Sequence, residues 1–329
     1  MLTVAQIGCG YWGPNLLRNL VAIDNYEVKY LVDNSADRRK FVNQLYPAIK
    51  VCDDLKIVLE DKSVDAVVIA TPVATHFDIA MACLKAGKHI LVEKPITRTV
   101  KELEVLEGIA KKNGLVVMVG HTFIYNAAVR YLKELIQSGE LGDIRYIDSQ
   151  RLNLGRVRND VDALWNFAPH DVSIIQFLLN DPEPLSVTKT GMDYIQEGIN
   201  DVVFMNIVYP NKIMANIHVS WLDPRKVRRM VVVGSKKMAV YDDISEYKIA
   251  IYDKGVDRLA VLGDNMDFDN PNVFKLSLRN GDLYLPKINF VEPLKVELSH
   301  FMDCIENKTE CLTGIEHAKK VVSILESAS

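Results

Sequence analysis

Cysteine is scarce in this chain, with only five among 329 residues. No two of them form a Cys-x-x-Cys pair, so their spacing indicates neither a zinc site nor a disulfide framework. We expect reduced thiols, as is usual in a cytoplasmic protein, and no metal site. The five are Cys9, Cys52, Cys83, Cys304 and Cys311.

Long apolar runs and an excess of basic residues are also missing. No run approaches the length of a membrane span, which predicts a protein without a membrane partner. The first residues lack the features of a secretory signal, so we expect a cytoplasmic location. The formal net charge of −4 argues against nucleic acid as a partner. The length and the ordinary composition predict a soluble globular protein of about two domains.

The amino-terminal stretch carries a glycine-rich motif. An apolar run leads into Gly8-Cys9-Gly10-Tyr11-Trp12-Gly13, and a segment of helical period follows. Strand, glycine turn and helix in this order form the dinucleotide-binding fingerprint. The first glycine permits the tight turn, the second lets the backbone approach a pyrophosphate, and the third lets the helix pack on the strand. The predicted cofactor contacts in this loop are Gly8, Gly10, Tyr11, Trp12 and Gly13.

An acidic residue follows the motif at the expected distance. Asp33 ends the next apolar run, 20 residues after Gly13, where the fingerprint places the acid that binds the ribose hydroxyls. This favours NAD as cofactor, while Arg38 and Arg39 lie close enough in sequence to leave NADP open. The alternative, a glycine-rich turn without a ligand, would not require the strand, the helix and the acid together.

The first part of the chain alternates short apolar runs with segments of helical period. The runs are apolar on both faces, as in buried strands of a parallel sheet. The alternation predicts an α/β fold whose residues 1–121 form a Rossmann domain, a doubly wound parallel sheet that binds NAD(P). The predicted strands are Val4–Ile7, Val28–Val32, Ala66–Ile69, His89–Val92 and Val116–Val119.

After about residue 140 the pattern changes, because strands now follow one another. Met214–Trp221 alternates buried and polar positions, and Val231–Val233 with Met238–Tyr241 reads as a hairpin. Residues 122–329 are therefore predicted to form an α+β domain on a large, mainly antiparallel sheet. We expect this domain to bind substrate. Since such a sheet leaves one face uncovered, we also expect it to mediate a homo-oligomer, a dimer or tetramer.

Two short motifs follow predicted strands at the sheet edge where doubly wound folds bind ligands. Thr71 and Pro72 come after the strand Ala66–Ile69, with His76 close behind, and could line the cofactor or only begin a helix. Glu93-Lys94-Pro95 comes after His89–Val92. Proline restricts the residue before it, so Lys94 would be held in one geometry. A lysine whose charge is disfavoured by burial can lose its proton and could then exchange a proton with a hydroxyl. Glu93 and Lys94 are also predicted cofactor contacts, and the alternative is a surface salt bridge in a loop.

A third cluster, Trp165-Asn166-Phe167-Ala168-Pro169-His170-Asp171, precedes an apolar helix predicted over Asp171–Leu179. Pro169 suits its first turn. Asn166 and His170 are four residues apart, so both could point into a cleft, whereas Asp171 could simply be an acid favoured by the helix dipole.

Two weaker candidate sets remain. Arg151, Arg156 and Arg158 could hold a phosphorylated or nucleotide-linked substrate, or form a solvated charged loop. His121 and Tyr125 follow the strand Val116–Val119, where the two predicted domains join. They could face the nicotinamide and substrate or shape the hinge.

In combination, the glycine loop, Asp33, Ala70-Thr71-Pro72, Glu93-Lys94-Pro95 and the later histidine resemble the glucose–fructose oxidoreductase/inositol dehydrogenase (Gfo/Idh/MocA) family. The resemblance covers the whole chain. It implies that Lys94 is the catalytic acid/base, with His170 also in the site. The family often has aspartate four residues before that histidine, where this chain has Asn166, and this departure weakens any aspartate–lysine relay.

Three parts of the sequence resemble one branch of this family, the enzymes that oxidise UDP-N-acetylglucosamine at C3. These parts are Gly10 to Leu16, Arg156 and Trp165–Asp171. The resemblance thus implies a dehydrogenase for a sugar or nucleotide sugar. Three alternatives stay open: a ketosugar reductase, an inositol or polyol dehydrogenase, and a catalytically silent, nucleotide-binding regulatory protein.

Overall fold

The computed structural model describes residues 1–155, 157–260 and 274–328. Contacts divide the chain into two compact units. The first unit comprises Met1–Asn126, Val172–Asp181 and Phe290–Ser329, and the second comprises Ala127–Asp171 and Pro182–Asn289. The division at residue 121 expected from the sequence stays a prediction.

A six-stranded parallel sheet forms the centre of the first unit, in the order β3-β2-β1-β4-β5-β6. This is the strand order of a Rossmann fold, with its switch point between β1 and β4. The strands are β1 (Leu2–Ile7), β2 (Tyr26–Val32), β3 (Lys50–Cys52), β4 (Ala66–Ile69), β5 (His89–Glu93) and β6 (Val117–Gly120).

The helices between these strands begin and end at predictable residues. Ser35 caps one helix by accepting the Arg38 N–H, and Gly114, with φ of 64°, ends another. The helices are α1 (Gly13–Val21), α2 (Ala36–Leu45), α3 (Lys56–Glu60), α4 (His76–Lys85) and α5 (Val100–Asn113).

The end of the chain completes the core of the first unit. α8 (Pro293–Glu306) places Leu294, Leu298 and Phe301 in one apolar cluster with residues of the parallel sheet. The Tyr26 hydroxyl donates to the Leu298 carbonyl over 2.7 Å. α9 (Ile315–Ser327) packs against α5 and β6.

An eight-stranded sheet forms the second unit, in the order β14-β13-β12-β11-β7-β10-β9-β8. Among the pairings of the described residues in this sheet, β7 with β10 is the parallel one, and the others are antiparallel. Ala215, Ile217, Val219 and Trp221 are all buried, as the alternation predicts. The strands are β7 (Ile144–Leu154), β8 (Ser186–Met192), β9 (Val202–Tyr209), β10 (Ile213–Ser220), β11 (Leu222–Gly234), β12 (Met238–Asp242), β13 (Ile249–Ala260) and β14 (Phe274–Tyr284).

The predicted fold class is therefore confirmed, but several elements differ from expectation. β3, α3, α6 (Ala127–Gln137) and β7 were not predicted, and α7 (Ala163–Leu179) begins eight residues before the predicted start at Asp171. Pro169 thus lies inside the helix rather than in its first turn. Among the described residues, no helix is both long and apolar enough to cross a membrane.

Candidate active site

The glycine loop joins β1 to α1, and two of its glycines are required by close backbone contacts. Gly8 has φ of +90°, and a Cβ there would lie 2.5 Å from the Ala70 carbonyl oxygen. A Cβ on Gly13 would lie 2.7 Å from the Gly8 carbonyl oxygen. At Gly10 a Cβ would meet nothing within 4 Å, so this side of the loop is open to a ligand.

A buried glutamine holds this loop, and the sequence patterns did not single it out. Gln6 on β1 is fully buried, and its Nε2 donates to the carbonyl oxygens of Gly8 and Gly13, each over 2.9 Å. The sequence feature that could have revealed Gln6 is an amide side chain within a mostly apolar strand. A buried amide needs hydrogen-bond partners, so such a residue is expected to hold nearby backbone.

Asp33 lies at the end of β2 and contacts the same loop. Its carboxylate accepts N–H groups from Cys9 over 2.7 Å and from Ser35 over 2.8 Å. Arg39 donates to the Asp33 carbonyl over 2.6 Å and pairs with Asp53. A crowded glycine turn with an open middle position, next to a fixed carboxylate, fits the pyrophosphate and ribose of a dinucleotide.

His76 connects the loops that follow β4 and β5. The histidine is buried, with Nε2 2.8 Å from the Thr71 carbonyl oxygen and Nδ1 2.8 Å from that of Pro95. Burial lowers the pKa of His76, although both carbonyls oppose this effect. Thr75 precedes α4, but its hydroxyl lies within 2.8 Å of the Thr71 hydroxyl and of the Pro72 carbonyl oxygen instead of capping the helix. His76 therefore positions the two motifs; its predicted cofactor contact stays a prediction.

Glu93 and Lys94 lie at the carboxyl end of β5, as predicted. The Glu93 carboxyl fits against Gly120 of β6, where a Cβ would lie 3.1 Å from the carboxyl carbon. Burial raises the pKa of Glu93 to about 7, opposed by the nearby Lys94 ammonium and by a hydrogen bond from Trp12. Trp12 belongs to the glycine loop, so the structure brings the two most informative sequence motifs together.

A second buried acid, Glu297 on α8, was missed. Thr122 donates its hydroxyl to Glu297 over 2.8 Å. Burial, and next the Glu93 carboxyl, raise the pKa of Glu297 well above its usual range. The sequence pattern that could have revealed Glu297 is the helical period, because Glu297 lies on the same buried face of α8 as Leu294 and Phe301.

The residues that follow β6 are buried within the first unit. His121 packs edge-on against His317, whose ring nitrogens contact Ser173 and Asp181 over 2.9 and 2.8 Å. Burial lowers the pKa of His121 well below its usual range. Tyr125 is 1% exposed and shares a 3.1 Å hydrogen bond with Thr313. These contacts give Tyr125 a packing role, and the substrate and cofactor roles of the two residues stay predictions.

The part of α7 that belongs to the second unit carries the Asn-His pair. Asp162 caps this helix by accepting the Trp165 N–H over 2.9 Å. Asn166 and His170 lie one turn apart on this helix, and both are partly exposed, as is Trp165.

Asp171 and Arg151 form a buried ion pair, which corrects two expectations. Arg151 lies on β7, not in a solvated loop, and its Nε donates to Asp171 over 2.7 Å. Asp171 is the ninth residue of α7, too far from its N-terminus to serve the helix dipole. Arg158 pairs with Asp160, and Arg156 lies outside the described residues.

Comparison with known proteins agrees with these features. Residues 2–121 match the model of the oxidoreductase family with an NAD-binding Rossmann fold, as the predicted NAD cofactor requires. Residues 129–240 match the GFO/IDH/MocA C-terminal domain.

Individual relatives differ in what they act on. The chain is 32% identical to 4-carboxy-2-hydroxymuconate-6-semialdehyde dehydrogenase of Sphingobium sp., over 54% of this chain and 58% of that protein. It is also 32% identical to UDP-N-acetylglucosamine 3-dehydrogenase of Acidithiobacillus ferrooxidans, over 58% of this chain and 59% of that protein. Both matches therefore span less than two thirds of the relative's length.

A crystal structure of an oxidoreductase from Magnetospirillum magnetotacticum MS-1 matches along the whole chain. The TM-score is 0.83 at 26% identity, covering 100% of this chain and 99% of the other. Together with the two family models and the motifs at the ends of β1, β4 and β5, this shows that the chain belongs to the Gfo/Idh/MocA oxidoreductase family.

Proposed function

We propose that this protein is an NAD(P)-dependent dehydrogenase that oxidises a secondary hydroxyl of a sugar. The observation that carries the proposal is the position of Lys94 at the carboxyl end of β5. Lys94 lies beside the Glu93 carboxyl, which accepts a hydrogen bond from Trp12 of the glycine loop. A proton-transfer group next to the predicted cofactor loop is what hydride transfer from an alcohol needs.

Each group has a distinct task. Asp33 and the loop from Gly8 to Gly13 hold NAD, and the bound nicotinamide supplies the hydride acceptor. Lys94 acts in its neutral amine form, after losing its own proton, and takes the proton of the hydroxyl whose carbon is oxidised. His76 fixes the backbone on either side of this lysine through the Thr71 and Pro95 carbonyls. Following the family resemblance, His170 and Asn166 orient the hydroxyl.

The proposed substrate is a nucleotide sugar, with oxidation of UDP-N-acetylglucosamine at C3 as the specific candidate. The support is the sequence resemblance of the loop and of Trp165–Asp171, together with the relative that carries this activity in its name. The relative of equal identity is named for a semialdehyde substrate. An inositol or polyol dehydrogenase and a ketosugar reductase are therefore alternatives that a substrate screen must include.

The test is a screen of nucleotide sugars, polyols and semialdehydes for NADH formation, repeated with Lys94→Met. Methionine keeps the length of the side chain but cannot carry a proton, so turnover should fall by about 10²–10⁴-fold. Lys101→Met, at an exposed position on α5, is the matched control and should keep wild-type turnover.

Three outcomes would contradict the proposal or part of it. Near-wild-type turnover of a folded Lys94→Met protein would exclude Lys94 as acid/base. NAD binding without turnover of any compound would favour the regulatory protein that binds nucleotide silently. A rate that is faster from the ketone with NADH than from the alcohol with NAD would favour a reductase.

We also propose a homo-oligomer formed through the sheet of the second unit. Phe204 and Val208 on β9 and Met214 on β10 are 44%, 38% and 48% exposed on the open face of this sheet, and exposed apolar side chains that lie near one another favour an interface. Sedimentation as a monomer at micromolar concentration would contradict this assembly.

A further inference from the structure

Three potential metal ligands that the proposed reaction does not use lie together in the first unit. His300 and Cys304 are one turn apart on α8, and Cys311 lies in the connection to α9. A ring nitrogen of His300 and the two Sγ atoms all lie within 4.8 Å of one another. None of the three belongs to the predicted cofactor or substrate contacts.

We propose that His300, Cys304 and Cys311 form a binding site for a thiophilic divalent cation such as Zn²⁺, which ties the connection 307–314 to α8. Two thiolates and an imidazole are ligands that Zn²⁺ prefers, and three protein ligands leave a fourth position for water. The spacing His-x₃-Cys-x₆-Cys matches no common zinc motif, so the site could not be recognised from the sequence.

The distances suit a tetrahedral site. Bonds of about 2.3 Å to sulfur and about 2.0 Å to nitrogen place nitrogen and sulfur about 3.5 Å apart, and two sulfurs about 3.8 Å apart. Nε2 of His300 lies 3.5 Å from Sγ of Cys304. Small side-chain rotations would bring the third ligand atom to the same spacing, since all three already lie within 4.8 Å.

A backbone hydrogen bond shows which nitrogen of His300 could bind the cation. Leu312 donates its N–H to Nε2 of His300 over 3.2 Å, so this nitrogen presents a lone pair. Cation binding would release the protons of both thiols to solvent, and the Nε2 lone pair would turn from Leu312 to the cation.

A cation at this site would stabilise the connection after α8, which already contacts the Rossmann sheet. The connection after α8 pairs with β6, where Val119 donates to the Thr313 carbonyl over 2.9 Å and Met118 bridges Gly314. Cys311 Sγ itself lies 3.9 Å from the Val117 carbonyl oxygen. A cation shared by α8 and this connection would therefore hold the edge strand of the sheet against α8.

Titration of the fully reduced full-length protein with Co²⁺ tests the proposal independently of enzymatic activity. We expect one Co²⁺ per chain, the visible bands of tetrahedral cobalt, a thiolate-to-cobalt charge-transfer band, displacement by Zn²⁺, and a raised melting temperature with Zn²⁺. Cys311→Ser and His300→Gln should each weaken binding more than about 100-fold, because even loss of an outer-shell partner costs about 10–100-fold. The His300→Gln variant should still fold, since the new amide oxygen can accept the Leu312 N–H that Nε2 accepts in the wild type.

Cys52→Ser is the matched control, since Cys52 is a partly buried thiol on β3, outside this cluster. It should bind Co²⁺ like the wild type. Absence of tetrahedral bands in the wild type would overturn the proposal. Bands that persist in Cys311→Ser or in His300→Gln would overturn the three-ligand assignment, because binding would then not need all three side chains.

Discussion

Gly10 and Gly13 lie three residues apart in one loop but meet different surroundings. A methyl group on Gly13 would collide with the Gly8 carbonyl, whereas on Gly10 it would meet no protein atom. Gly13→Ala should therefore lower the free energy of unfolding by about 1–3 kcal/mol. Gly10→Ala should leave stability within about 0.5 kcal/mol but weaken NAD binding by about tenfold or more, because the methyl group occupies the ligand's side of the loop.

Urea unfolding and NAD titration of the two variants separate these effects. Each variant serves as the control for the other, since the substitution is the same and only the surroundings differ. Wild-type NAD affinity in Gly10→Ala would contradict a dinucleotide at this loop. An unchanged unfolding midpoint in Gly13→Ala would mean that α1 can move away from β1.

At Glu297, one buried carboxyl makes stability depend on pH. Its folded-state pKa is raised well above the usual range, so the folded protein holds the proton in a window where the unfolded chain has lost it. The free energy of unfolding should therefore fall as the pH rises from the unfolded-state pKa toward the folded-state pKa, by at most about 1.4 kcal/mol per pH unit. Below the unfolded-state pKa both states are protonated and the contribution is constant.

Glu297→Gln removes this titration and keeps an oxygen that can accept the Thr122 hydroxyl. Urea unfolding at about pH 5 and about pH 7 should give a smaller difference for this variant than for the wild type. Glu306→Gln, at an exposed position on the same helix, should keep the wild-type difference. Equal differences in the wild type and in Glu297→Gln would show that Glu297 ionises normally in the folded protein.

At the scale of secondary structure, the buried parallel strands could be predicted, because each is a short run that is apolar on both faces. β3 and β7 lacked that signal. β3 has three residues at the sheet edge, and β7 carries Asp148 and Arg151 within its span. The start of α7 was misplaced because Pro169 is usual in a first turn. The cap at Asp162, rather than the proline, determines where this helix begins.

In the candidate site, too, some residues could be predicted from local sequence and others could not. Motifs that are contiguous in sequence, such as Gly8–Gly13 and Glu93-Lys94-Pro95, could be found because a strand end positions all of their residues together. Gln6 and Glu297 could not be assigned, since their importance comes from partners far along the chain or across a turn. Arg151 resembled a substrate ligand until its buried partner Asp171 was known.

At the scale of the whole molecule, the first unit is assembled from three separate stretches of chain. The periodicity of the sequence cannot reveal this assembly, because an amphipathic helix such as α8 has the same pattern whichever unit it packs against. Leu294, Leu298 and Phe301 nevertheless share a cluster with Val4, Leu20 and other residues of the amino-terminal part. The expectation of a Rossmann domain within residues 1–121 depends on whether that part folds without α8.

We expect the fragment 1–126 alone not to fold cooperatively, since it would expose the apolar surface that α8 covers and lose the Tyr26–Leu298 hydrogen bond. Thermal unfolding by circular dichroism, with and without NAD, measures this. The same fragment joined to residues 290–329 by a flexible glycine–serine linker is the matched control and should regain a cooperative transition, because Leu294, Leu298 and Phe301 again cover the apolar surface. A sharp transition of the fragment 1–126 that NAD shifts upward would contradict this expectation. It would instead support a self-sufficient amino-terminal domain that α8 merely covers.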